Sequence, residues 1–170
     1  MKGIAKAYDF LIKGLAVCSG ILIFVAFLLI VLDVSIRISG KSPPAYTIAV
    51  VEYILLYFTM FAAPWLVRIK GHVFIDAITQ FLPRRVKRVL AKIVYAVCIG
   101  SSLVFCFVSA QLLLEAIQSG DLDIRGVSMT LWTLYLPMPL ASLLIAIEFG
   151  RYLIGIDDMY GDRGDAGETM

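Results

Sequence analysis

The sequence holds little of what most chemistry needs. One histidine, His72, cannot supply a bis-histidine haem site. Three cysteines, Cys18, Cys98 and Cys106, include no C-x-x-C pair, which argues against a thiol–quinone oxidoreductase. Cys98 and Cys106 are eight residues apart, a rise of about 12 Å in a helix, too far for a disulfide. The expectation is three buried free thiols acting as small apolar residues. H-E-x-x-H, G-x-S-x-G and Walker A patterns are missing. No catalytic, cofactor or metal site is expected, and the chain is not read as an enzyme.

Charge is scarce as well. Only 16% of the 170 residues are charged and 61% are hydrophobic, with a mean hydropathy of +0.91. A soluble domain is typically about 45–50% apolar and about 25% charged. This is the composition of an all-α integral membrane protein. The basic residues flank apolar spans and form no water-exposed patch, so nucleic acid is not an expected partner.

Four apolar runs are long enough to cross a bilayer, which takes about 20 residues in a helix. The first spans residues 14–38, after Lys2, Lys6 and Lys13. It exceeds a signal-peptide core and lacks a cleavage site, so it reads as an uncleaved membrane helix. Asp33 and Arg37 stand at i, i+4, a pairing distance. A turn with Gly40, Pro43 and Pro44 follows. The second run, residues 46–67, carries Glu52 about two turns inside. An intramembrane carboxylate must face protein or water. Its expected partner is Arg37 across the hairpin, and the rival role is a proton- or substrate-binding carboxylate. Pro64 is expected to bend the end of this helix, and Trp65 suits the interface.

The stretch from Trp65 to Lys92 organises the chain. Val73, Phe74, Ala77, Ile78, Phe81 and Leu82 repeat at a period near 3.6, with Asp76 and Gln80 opposite. The segment is too short to span, so a short amphipathic helix lying in the interface is expected between membrane helices 2 and 3. A plain connector and an arm that docks a partner are both compatible with it. Pro83 ends it. His72 and Asp76, at i, i+4, can hold the local turn, and a pH-sensing role is the alternative.

Arg84, Arg85, Lys87, Arg88 and Lys92 open a third helix expected to run to about Glu115. Residues 118–128 read as a polar loop. The fourth run, residues 129–156, contains Pro137 and Pro139, which predict a kink or partial unwinding. Glu148 and Arg151 can pair at i, i+3. Ala16/Gly20 and Ala96/Gly100 are small-xxx-small steps that permit close helix approach. One membrane domain is expected over residues 1–156, followed by a disordered cytoplasmic tail over 157–170. Twelve basic residues flank one side of these spans and three (Arg37, Lys41, Arg125) the other, so both termini are expected in the cytoplasm.

Glu52, then Trp65, Arg68, Gly71, His72, Val73, Ile75 and Asp76 in the pattern W-x-x-R-x-x-G-H-[VI]-x-[VI]-D, then Leu82-Pro83 and Arg85, resemble the small membrane subunit of tripartite ATP-independent periplasmic (TRAP) transporters, the DctQ type. Leu134 to Pro137 resembles the family's L-x-x-P segment, and Pro139 departs from it. The resemblance implies an accessory subunit in the bacterial inner membrane. Its partners would be a large membrane subunit holding the sodium and solute sites, a periplasmic solute-binding protein delivering a carboxylate-bearing solute, and membrane lipids. Arg37, Glu52, Trp65, Arg68, Gly71, His72, Asp76, Pro83 and Arg85 are then structural or partner-binding candidates. The rival reading is a self-sufficient small four-helix transporter coupled to protons through Glu52.

Overall fold

The computed structural model describes residues 2–44, 46–69, 84–124 and 128–154. Helix α1 runs Lys2–Ile38, starting about three turns before the apolar run, because nothing in residues 2–13 breaks a helix. Its shielded positions include Tyr8, Ile12, Leu15, Ser19, Leu22, Ala26, Leu29, Asp33 and Ile36, spaced alternately four and three residues apart, with Asp9 and Ala16 beside them. That narrow seam, with a 3.5-residue period, is the geometry of left-handed helix pairing. Gly40, at φ +74°, ends the helix: its N–H reaches the Arg37 carbonyl at 3.0 Å and the Lys41 N–H reaches that of Ile36 at 3.3 Å. This is a Schellman stop, and its left-handed residue favours glycine.

Helix α2 (Tyr46–Arg68) packs on α1 and continues through Pro64. Helix α3 (Arg84–Ser119) ends at Gly120, at φ +64°. The expected polar loop is in part a hairpin: β1 (Leu122–Ile124) pairs antiparallel with β2 (Ser128–Thr130), in the register Leu122↔Thr130, Asp123↔Met129 and Ile124↔Ser128. Helix α4 (Leu131–Tyr135) then leads through Leu136 into α5 (Pro137–Ile154). Leu136 keeps right-handed helical dihedrals, φ −54° and ψ −46°, and donates to the Trp132 carbonyl at 3.0 Å. The prolines thus interrupt the helix at Leu136, as the sequence predicts, without unwinding its backbone. They stand in the first turn of α5, where a missing N–H costs least. The carbonyl that Pro137 leaves without its helical donor, that of Thr133, accepts from the Tyr57 hydroxyl at 2.5 Å.

Among the described residues, four segments are long and apolar enough to cross a membrane: Lys6–Ile38, Tyr46–Arg68, Val89–Ser119 and Leu131–Ile154. Their main packing runs in the order α1, α2, α5, α3, which puts α1 and α3 at the two ends of the row. The α3–α5 seam is lined with small residues. On α3, Ala91, Cys98, Ser102, Cys106, Ser109 and Ala116 are shielded, three, four or seven residues apart, and on α5 so are Ser142 and Ala146. Small side chains let helix backbones approach closely in a membrane. The anticipated Gly20 and Gly100 steps lie elsewhere. Both glycines are exposed, and an added Cβ would meet nothing within 4 Å.

The cysteines are free, but none is fully buried: Cys98 and Cys106 are half-buried and Cys18 is exposed, because its position falls off the α1 seam. The amphipathic segment at 72–82 and the tail at 157–170 lie outside the described residues.

Candidate functional site: a buried charge network

The end of the molecule where α1 begins, α2 ends, α3 begins and α5 ends carries most of the basic residues; we call it the basic end. Here Arg68, the last residue of α2, donates from Nη2 to Asp9 Oδ1 on α1. Its Nη1 lies 4.0 Å from Glu148 Oε1 on α5. Arg151 Nη1 approaches both Glu148 oxygens, at 3.3 and 3.5 Å. The Tyr8 ring lies against both guanidinium groups, with its centroid 5.8 Å from Arg68 Cζ and 5.7 Å from Arg151 Cζ. Glu148 is 2% exposed. Among the described residues, two arginines and two carboxylates from three helices thus form a charge-balanced network. Neutrality is what permits a carboxylate to be buried there, since an unpaired charge in that position is costly.

An aromatic layer sits beside it. Tyr95 stacks on Tyr152 at 5.8 Å and lies 6.5 Å from Phe149, with Val67 and Ala91 completing the cluster. The Tyr152 hydroxyl donates toward the Val67 and Arg68 carbonyls, at 3.0 and 2.9 Å. Those are end carbonyls of α2 with no partner in their own helix. A side chain of α5 thereby caps α2 and aligns Arg68 with the network.

At the opposite, hairpin end, Tyr53 donates to Asp123 Oδ2 at 2.9 Å, tying β1 to α2. Arg37 pairs back along its own helix with Asp33 at 2.7 Å, as the i, i+4 spacing predicts. The expected approach of Arg37 to Glu52 conflicts with the helix register. Once Arg68 is fixed beside Asp9, Glu52 is sixteen residues up α2 and Arg37 twenty-eight up α1. The two side chains then differ in height by about 18 Å.

Between the two ends, the buried polar side chains include Ser19, Ser109 and Ser142, and each bonds a carbonyl of its own helix. Cys106 Sγ adds a contact to the Pro139 carbonyl at 3.5 Å. Each of these bonds commits the serine hydroxyl proton to its own helix. Among the described residues, no group of three or more His, Cys, Asp or Glu is placed to hold a metal ion.

Of the residues singled out by sequence, Arg68 enters the network and Trp65 sits one turn before it. Arg85 lies in the first turns of α3, and Gly71, His72, Asp76 and Pro83 lie outside the described residues. Sequence reasoning found the Glu148–Arg151 pair but missed Tyr8, Asp9 and the link to Arg68. The available signal was Asp9 itself, an acid among lysines and one turn before Lys13.

No curated relative matches the chain. The family model for the DctQ component of tripartite ATP-independent periplasmic transporters matches residues 26–155, which include Arg68, Glu148 and Arg151 but not Tyr8 and Asp9. With that match over most of its length and four helices fit to cross a membrane, the chain belongs to the DctQ family and is a small membrane subunit of a TRAP transporter.

Proposed function

We propose that this subunit is an accessory scaffold in the bacterial inner membrane, without a transport site of its own. It would work beside a large membrane subunit that performs sodium-driven import of a carboxylate-bearing solute supplied by a periplasmic binding protein. The observation that carries this reading is the family match. The structure adds physical support: the buried serines midway through the bundle are bonded within their own helices, while α1 and α3 turn long apolar faces outward. In lipid those faces gain no hydrophobic drive to associate, so a partner must be held by close packing and polar contacts. Gly20, Ala96 and Gly100 are exposed small positions suited to close approach. The segment carrying Trp65, Arg68, Gly71, His72, Asp76, Pro83 and Arg85 is the candidate partner-facing element, and Glu52 is assigned a structural role.

In proteoliposomes under an inward sodium gradient, solute uptake is expected only when this chain, the large subunit and the binding protein are all present. Uptake by this chain alone, abolished by Glu52→Gln and driven by a proton gradient, would instead establish the self-sufficient proton-coupled carrier.

Both termini are assigned to the cytoplasm from the twelve-to-three basic asymmetry. Reporter fusions after Met170 and within residues 120–126 are expected to report opposite compartments. A periplasmic signal from the Met170 fusion overturns the orientation.

A further inference from the structure

The two helices at the ends of the row differ in what they turn outward. On α1 the side opposite the α2 seam carries Val17, Ile21, Phe24 and Leu28, all large, apolar and exposed. Hydrocarbon alone satisfies such a face. On α3, Ala91 and Ser109 are buried on the side that packs on α5. Each stands nine residues from Gly100, two and a half turns, so Gly100 lies on the opposite side of the helix. Val104, Phe107 and Gln111 share that side with it, at i+4, i+7 and i+11. All four are exposed, and a Cβ added at Gly100 would meet nothing within 4 Å.

The depth of this face decides what can cover it. Between Lys92 and Glu115, α3 has 22 residues without a charge, a rise of about 33 Å, close to the thickness of the hydrocarbon core. Gln111 stands one turn inside the nearer boundary. Helical side chains lean toward the N-terminus of their helix, which here carries the Gln111 amide deeper into the membrane and away from the nearer headgroups. In hydrocarbon that amide has donors and an acceptor and no water to take them. A connecting segment cannot serve at this depth, because its own backbone would need partners as well. A neighbouring spanning helix can. Helices associate in membranes through small residues that admit close approach and through hydrogen bonds between side chains such as glutamine. The outer side of α3 offers both, Gly100 and Gln111 standing three turns apart, and the outer side of α1 is filled with bulky apolar groups.

Given the accessory role proposed above, on which this rests, we propose that the face of α3 formed by Gly100, Val104, Phe107 and Gln111 is the membrane contact with the large subunit. Its counterpart is a spanning helix that passes close to Gly100 and presents a hydrogen-bonding side chain to Gln111, while the outer face of α1 is left to lipid. The test measures the affinity of the full chain for a tagged large subunit in detergent. Gly100→Leu is expected to weaken the complex about tenfold or more, by overpacking. Gln111→Leu should weaken it about threefold, the weight of an interhelical hydrogen bond in a membrane. Ile21→Phe on α1 should leave it unchanged, and all three isolated variants should unfold at the parental midpoint. A photocrosslinking residue in place of Val104 should capture the large subunit, and one in place of Phe24 should not. Parental affinity in Gly100→Leu, capture of the large subunit from position 24 and not from 104, or capture of a second copy of this chain from 104 overturns the assignment of this face and leaves the accessory role standing. Failure of the parent chain to bind the large subunit at all overturns both.

Discussion

Glu148→Leu is expected to destabilise the isolated chain by roughly 3–5 kcal/mol, the usual cost of removing one partner from a buried ion pair. Glu148 is the carboxylate that Arg68 and Arg151 share, and it is almost completely buried. Its loss leaves two guanidinium groups beside the Tyr8 ring with, among the described residues, the 44% exposed Asp9 as their paired carboxylate. The effect should spread beyond the site, because α2 is fixed to α1 through Arg68–Asp9 and to α5 through Arg68–Glu148. Denaturant unfolding in detergent, followed by circular dichroism, gives the magnitude. The double variant Glu148→Leu/Arg151→Leu should lose less than the sum of its singles, because it removes one charge of each sign. A Glu148→Leu midpoint equal to that of the parent would mean that the network contributes nothing to stability.

Much of the fold could be read from the sequence because lipid restricts the choices. A spanning segment must satisfy its own backbone, so four apolar runs of sufficient length become four helices. Charge spacing within one helix was equally legible: Asp33–Arg37 and Glu148–Arg151 both form. What could not be read is set by how helices line up. The Arg68–Asp9 contact joins residues 59 apart and depends on how the 39–45 connector sets α2 against α1. That same register separates Arg37 from Glu52, which sequence reasoning had placed at one depth. The hairpin at 122–130 was missed because three-residue strands leave almost no periodic signal. The prolines of the fourth run suggested disruption, but Tyr57 accommodates Pro137 by donating to the Thr133 carbonyl, a contact between residues 76 apart.

Ser142→Leu is expected to cost about 1–3 kcal/mol by overpacking and to loosen α3 from α5, whereas Gly100→Leu should leave the isolated chain as stable as the parent. Both substitutions enlarge a small side chain in a membrane helix, and the fold sets them apart. Ser142 is 3% exposed. On α5 it lies between Pro139, whose carbonyl contacts Cys106, and Phe149, which meets Tyr95, so it sits within the α3 seam. Its hydroxyl bonds only carbonyls of its own helix, at Met138 and Pro139, so the loss of polarity is minor and the added volume decides the outcome. Close-packed interiors accept extra methylenes only by shifting backbone or rotamers. Gly100 faces open space, and replacing a mid-helix glycine removes an entropic penalty of roughly 0.5–1 kcal/mol relative to alanine. Cysteine crosslinking between positions 106 and 139 offers a second readout: Ser142→Leu should slow it and Gly100→Leu should not. If both variants unfold alike, or Gly100→Leu proves the more damaging in the isolated chain, then the small shielded residues are not what holds α3 to α5.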